Sequence, residues 1–187
     1  MIASVSIQTG DFNLADEIAA LRERDKRVGA VCSFVGTVRG ENMAPTPAAG
    51  AAALTTGGTL PPGGGASAAE GSNGPPVLSM ELEHYPGMTE KAIEAMIAEA
   101  HRRFDIFGAR VIHRVGLLQP LDQIVMVAVT SAHRGESFKA CEFLMDYLKT
   151  QAPFWKKEQT PSGAQWVDAR VSDDAALARW GIGAANR

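Results

Sequence analysis

The sequence predicts an α+β domain, a mostly antiparallel sheet with flanking helices. Three observations carry this. Alternating β-type runs and helical-period stripes are interleaved without strict β-α-β repetition. The run Ile124 to Val129 is apolar almost throughout, as a strand covered on both faces requires. Two extended runs, Phe154 to Gln159 and Gln165 to Val171, flank Pro161-Ser162-Gly163 and read as a hairpin. A length of 187 residues fits one domain with room for a core.

Taken in order, Val5 and Ile7 alternate with serines in a short strand. Leu14, Ile18 and Leu21 repeat at helical spacing, with Asp11 or Asn13 available as a cap. Val28 to Arg39 is a valine-rich strand, and Gly36 within it signals a bulge or a close approach to the backbone. Leu78, Met80 and Leu82 alternate with Ser79, Glu81 and Glu83 in the next strand. Tyr85-Pro86-Gly87 turns the chain, and Thr89 is placed to cap a helix carrying Ile93, Met96, Ile97, Ala100 and Phe104. Val111, His113 and Val115 mark a strand ended by Gly116. Ile124 to Val129 follows, then a helix from Glu136 to Thr150 stopped by Pro153. After the hairpin, Ser172-Asp173-Asp174 opens a last short helix with acids at its positive end.

Between about residues 43 and 76 the composition shifts to Ala, Gly, Pro, Ser and Thr, with Glu70 as its one charge. Such a stretch cannot bury enough apolar surface to offset chain entropy, and it is expected to be a disordered insertion between two strands. Its Gly63-Gly64-Gly65 lacks a following Lys-Ser or Lys-Thr, so it is no phosphate-binding loop.

Composition excludes several functions. The net charge of -3 argues against a general nucleic-acid surface. Cys32 and Cys141 each sit in an apolar run and form no C-x-x-C, so buried free thiols are expected. The histidines show no metal-ligand spacing, so neither a metal nor another cofactor is expected. No apolar run has the length of a membrane span and the first residues have no leader pattern, so cytoplasmic residence is the expectation.

Against this acidic background, cations cluster around the helix of residues 136–150. Advancing about 100° per residue from Phe138 puts Lys149 near 20°, at the border of the apolar stripe. Its stem can cover core while its amine reaches a cleft; the alternative is a snorkelling lysine paired with Asp146. Lys156 and Lys157 point to opposite faces of an extended segment, so at most one shares a pocket with Lys149. Lys156 lies on the Phe154 and Glu158 side. His133 and Arg134 stand between a strand end and a helix start, where an anion gains from the helix dipole; alternatively, His133 bonds a backbone group. Arg39 ends the glycine-interrupted strand, and His84 is expected to be structural. No Ser-His-Asp or Cys-His arrangement is visible. The chain supplies cations that position an anion and stabilise developing negative charge, while the attacking group comes from elsewhere.

Several stretches together resemble the large, catalytic subunit of molybdopterin synthase: Gly29-Ala30-Val31 through Phe34-Val35-Gly36-Thr37-Val38-Arg39, Leu82-Glu83-His84-Tyr85-Pro86-Gly87-Met88-Thr89-Glu90-Lys91-Ala92, His113-Arg114-Val115-Gly116, and Val129-Thr130-Ser131-Ala132-His133-Arg134 through Phe154-Trp155-Lys156-Lys157-Glu158. The resemblance covers nearly all of the chain outside the insertion and the last residues. It implies an α/β-hammerhead-like fold and a sulfurtransferase. Sulfur passes from the C-terminal glycine thiocarboxylate of a small ubiquitin-like partner to cyclic pyranopterin monophosphate, in two deliveries that make the dithiolene of molybdopterin. It implies a dimer of large subunits with a small subunit at each end, a heterotetramer. By the same resemblance Lys149 and Lys156 are the catalytic pair. Thr37, Val38, Arg39, His133, Arg134, Lys149, Lys156, Lys157 and Glu158 line the pterin-phosphate pocket, with Arg170 reaching across from the other large subunit. Thr37 stands where the family often has lysine, and the insertion follows Arg39 where the family has a short loop.

Because the insertion lacks core-forming residues, deleting Ala48 to Gly71 is expected to leave the melting temperature nearly unchanged in calorimetry; a drop of many degrees would show that it packs.

Overall fold

The computed structural model describes residues 4–40, 76–167 and 179–181. The strands are β1 (Val5–Gln8), β2 (Ala30–Thr37), β3 (Ser79–His84), β4 (Ile106–Arg114), β5 (Gly116–Leu118), β6 (Gln123–Ser131), β7 (Phe154–Thr160) and β8 (Gly163–Val167). The helices are α1 (Leu14–Arg22), α2 (Met88–Arg103) and α3 (Arg134–Gln151). The strands form two four-stranded sheets, ordered β1-β4-β6-β2 and β5-β3-β7-β8. Only the β1–β4 pairing is parallel. The expected antiparallel character holds, but it is divided between two sheets instead of one.

β6 is the central strand that its apolar run predicts, paired on one side with β4 and on the other with β2. Its side chains alternate across the sheet. Val125, Val127 and Val129 join Ile93, Met96, Phe143 and Leu144 under α2 and α3. Met126 and Ala128 join Phe12, Leu21 and Ile112 on the α1 face. A third cluster of Val38, Met80, Leu82 and Leu118 ties the second sheet to the end of the first.

Helix boundaries follow local chemistry. Asn13 caps α1, its side chain accepting from the N–H groups of Ala15 and Asp16 at 2.9 and 3.4 Å. α2 begins two residues earlier than a Thr89 cap would allow. Gly87, at φ 80°, turns the chain into the helix, and the Glu90 carboxylate accepts its N–H at 2.6 Å. Thr89 is instead buried, its hydroxyl donating to the carbonyls of Tyr85 at 3.1 Å and Pro153 at 3.2 Å. That second bond fixes the start of α2 to the turn that leads from α3 into β7. α3 exceeds its expected span by two residues at its start and one at its end. It buries two flanks. Cys141, Leu144 and Leu148 form one, while Phe143 turns toward α2 and packs on Phe104, Tyr147 and Trp180.

Gly36 sits at a register shift between β2 and β6, and a Cβ there would lie 2.9 Å from a Val125 methyl. β5 was not expected as a strand; Gly116, at φ 84°, redirects the chain after β4 so that three residues can pair with β3. The expected insertion and the short helix after Ser172 lie outside the described residues. Among the described residues no helix is long and apolar enough to cross a membrane.

Phe143→Ala is expected to cost about 3–5 kcal/mol, the transfer energy of a fully buried ring plus the cavity it leaves. Urea unfolding measures it, and a loss below about 1 kcal/mol would show that the α2–α3 seam collapses to fill the gap.

Candidate functional site

The site lies where the two sheets and the end of α3 meet. β2 delivers Thr37 and, just past its end, Arg39; β4 delivers His113; β6 delivers Ile124, its second residue; β7 delivers Phe154, Lys156 and Glu158; and the last turn of α3 delivers Lys149. Period-two geometry explains the selection on β7. Phe154, Lys156 and Glu158 face the cavity, while Trp155 and Lys157 face away.

Two chambers adjoin. One, of about 270 Å³, is lined by Thr37, Arg39, Met80, Leu82, His113, Ile124, Lys149, Lys156 and Glu158. Three cations and one carboxylate around an apolar floor suit a small anion with a flat body. The other, of about 280 Å³, is largely apolar, walled by Phe34, Gly36, Val125, Met145, Leu148 and Phe154. It continues along α3 into a shallow groove bordered by Phe34, Cys141, Glu142, Met145 and Asp146. Lys149 lines all three spaces. An open, largely apolar trough with a lysine on its wall suits an extended chain terminus with a negative end.

Ion pairs tune the charges. Lys156 Nζ lies 3.0 Å from the Glu158 carboxylate. Asp146, the candidate partner of Lys149, instead has its Oδ2 occupied by Arg179 Nη2 at 3.0 Å and Trp180 Nε1 at 2.8 Å. Arg179 also reaches Glu142 at 3.1 Å. One guanidinium thus bridges the two carboxylates that α3 presents next to the groove and offsets part of their charge.

His113 is the most perturbed group in the cavity wall. Its ring stacks on Phe154 at 3.8 Å between centroids and 17° between planes. Burial pushes its pKa down from 6.5 to about 4, with the nearby His84 adding to the effect against a bond to the Arg114 carbonyl. Cys141, behind the groove, is a buried thiol that burial raises to about 12, with Cys32 beside it; it is no nucleophile at neutral pH. Cys32 itself is only half-buried. Among the described residues no group of three or more His, Cys, Asp or Glu side chains is placed to hold a metal ion.

The residues expected at the site divide. Thr37, Arg39, Lys149, Lys156 and Glu158 converge on one chamber. Val38 does not line it: its side chain is fully buried in the third core cluster, and its N–H and carbonyl are taken by Asp122 and Leu121. Lys157 does not line it either, because the β7 alternation turns it toward Glu81, at 3.8 Å, and the Trp166 ring. His133 and Arg134 are exposed at the opposite end of α3, and the fifteen-residue rise from Arg134 to Lys149 is about 22 Å. The His133 carbonyl accepts the Ser131 hydroxyl at 2.7 Å, so that corner is well ordered but remote. Arg170 lies outside the described residues. Sequence reasoning missed His113, Phe34 and Phe154 as wall residues. The Val111, His113, Val115 alternation could have flagged an inward histidine; the two phenylalanines read only as core.

The chain matches the family described as MoaE protein over residues 42–151. It is 58% identical over 178 residues to the molybdopterin synthase catalytic subunit of Pasteurella multocida, covering 94% of this chain and 97% of that one. It is 52% identical over 179 residues to the protein of the same name from Ralstonia nicotianae, covering 96% and 85%. Among solved structures, the molybdopterin biosynthesis MoaE protein from Burkholderia ambifaria superposes with a TM-score of 0.71 at 51% identity, covering 97% of this chain and 99% of that one.

The lowered His113 pKa has a sign. The unfolded chain takes up its proton near 6.5 and the folded chain only near 4, so this contribution to stability is complete above pH 6.5 and is lost as pH falls toward 4. Relative to wild type, His113→Asn is expected to flatten the acid limb by on the order of 3 kcal/mol in urea unfolding between pH 7 and 4. Parallel limbs in the two proteins would show that the ring is not held neutral.

Proposed function

The chain belongs to the MoaE family of molybdopterin synthase catalytic subunits, and from that premise we propose that its two-chambered cavity transfers sulfur from a partner's C-terminal thiocarboxylate to cyclic pyranopterin monophosphate. The observation that carries this is the convergence of Arg39, Lys149 and Lys156, from three separate elements, on one chamber that opens into an apolar channel. The phosphate and heterocycle occupy the cationic chamber, with Thr37 and Glu158 beside them. The partner, a small ubiquitin-like sulfur carrier, threads its tail along Phe34 and Met145 until its charged end meets Lys149.

Each transfer replaces a carbon–oxygen bond of the pterin side chain with a carbon–sulfur bond: the thiocarboxylate sulfur attacks the carbon, and the displaced oxygen leaves either on the phosphate ester as the cyclic phosphate opens or, once protonated, as water. Water then cleaves the sulfur–acyl bond, its oxygen stays on the partner's glycine as a carboxylate, and the sulfur stays on the substrate. The chain's task in both steps is electrostatic. Lys149 steadies the anionic sulfur and the charge that develops on the acyl oxygen, and Lys156, held by Glu158 at 3.0 Å, faces the substrate. No nucleophile of the chain is needed, which agrees with the inert Cys141.

The remote corner of His133 and Arg134 fits the same reading when a second large subunit is added. A rigid helix holds these residues about 22 Å from Lys149 of their own chain, so they serve the site of a second copy in a homodimer within a heterotetramer. Arg170 is assigned the same crossing role. The single-domain organisation, with the insertion as an appendage, and a cytoplasmic place of action complete the proposal.

Lys149→Ala is expected to lower single-turnover conversion of the pterin phosphate by a factor of about 1,000 or more, as loss of a stabiliser of developing charge does, while partner binding and melting temperature stay near wild type. Lys156→Ala should act in the same direction. Rapid-quench turnover with thiocarboxylated partner measures both. Near wild-type rates for Lys149→Ala would refute the assignment, and partner binding without any turnover by the wild-type chain would make it a binding module instead.

A further inference from the structure

The two chambers share three wall residues, His113, Ile124 and Lys149. Ile124 has no polar side-chain atom, and Lys149 as an ammonium can only donate. Among the described residues, His113 is therefore the one side chain lining both chambers that can accept a hydrogen bond. Its tautomer is fixed by what it touches. Nδ1 lies 2.8 Å from the Arg114 carbonyl oxygen, which can only accept, so Nδ1 carries the proton and the neutral ring keeps a lone pair on Nε2. The ring is also fixed in orientation, since rotation would break both that bond and the stack on Phe154.

We propose that His113 is a substrate-orienting residue, whose Nε2 accepts a hydrogen bond from a ring N–H or O–H of the heterocycle where the two chambers meet. This rests on the reading of the cavity as a pterin-phosphate site. A chamber dominated by cations recognises phosphate well but offers the ring's own donors few acceptors, and a buried donor left unpaired is costly. The chamber's other side-chain acceptors lie off the junction: the Thr37 hydroxyl, and Glu158, which Lys156 engages at 3.0 Å. A neutral imidazole solves this without adding a negative charge that would oppose the phosphate and the incoming thiocarboxylate. It also discriminates: a ring that presents a donor at the junction is held, and one that presents a second acceptor there faces lone pair against lone pair.

Two amide variants separate the ends of the ring. His113→Asn places its amide nitrogen where Nδ1–H stood, preserving the bond to Arg114, and leaves nothing at the ε position. His113→Gln places an amide oxygen at the ε position. In the reconstituted complex with thiocarboxylated partner, the Asn variant is expected to lose about tenfold in kcat/KM, chiefly through KM, with a matching loss in calorimetric affinity for the pterin phosphate. The Gln variant is expected to recover to within about threefold of wild type. Wild-type behaviour of the Asn variant, or equal losses in both variants, overturns the proposal while leaving the sulfur-transfer reading intact. A wild-type complex that neither binds nor converts the pterin phosphate overturns both. A measurement on the unaltered chain guards against misfolded variants: in ¹⁵N-histidine spectra the unprotonated Nε2 resonance of His113 should move upfield when the pterin phosphate binds, as it does on accepting a hydrogen bond. A bound complex in which it stays in place also overturns the proposal.

Discussion

Burial of β6 on both faces is the constraint on which the rest depends. A strand with Val125, Val127 and Val129 under two helices and Met126 and Ala128 under a third has one permitted register, because a slip by one residue would exchange the two sets. That register fixes His113 opposite Val125 and Phe34 opposite Val127, and so it sets the floor of the cavity. The wall is set the same way on the second sheet, where Leu82 pairs with Lys156 and Met80 with Glu158. The functional side chains thus inherit their positions from apolar packing, which is stiff, and not from the surface charges they carry, which are not.

The seam between the sheets adds a second layer of control. The short turn through Ala152 and Pro153 takes the chain from the end of α3 into β7, so Lys149 and Lys156 are linked by few residues and little slack. Thr89 pins that turn from the start of α2 through the Pro153 carbonyl. Asp146 is bonded to Arg179 and Trp180, so the carboxylate nearest to Lys149 along the helix is already engaged by a cation. These contacts determine which charges face the groove and which are spent elsewhere.

Much of this was legible in the sequence, for reasons that particular residues make clear. β6 was recognisable because a run covered on both faces has no polar alternation to disguise it. Lys149 was placeable because helical geometry leaves few positions for a residue at angle 20°, about a border. The separation of Lys156 from Lys157 followed from the pleat alone. The second sheet was not legible, because a strand pattern states which face is buried but not which sheet buries it. Val38 was assigned to substrate by resemblance; its burial depends on β3 and β5 closing over it, a contact between distant segments that no local pattern carries. His113 was passed over for the same reason, since its neighbours Phe154 and His84 come from elements far along the chain.

The separation of the two ends of α3 turns a local property into one of assembly. A helix cannot bend back to bring Arg134 beside Lys149, and its core-packed flanks forbid it from sliding. If both ends serve one substrate, the chemistry must be divided between copies, each giving its helix C-terminus to its own cavity and its helix N-terminus to the other. A symmetric pair satisfies that condition with a single interface, because what one copy gives it also receives. The N-terminal end would then bring a cation and the positive pole of the helix dipole to the phosphate. The C-terminal end carries the negative pole, which would repel an anion were it not offset by Lys149, Lys156 and Arg39 around the same chamber. Cations placed there and a neutral imidazole at the junction would let one small cavity hold a phosphate, admit a second anion along an apolar wall, and still pair the donors of the ring between them.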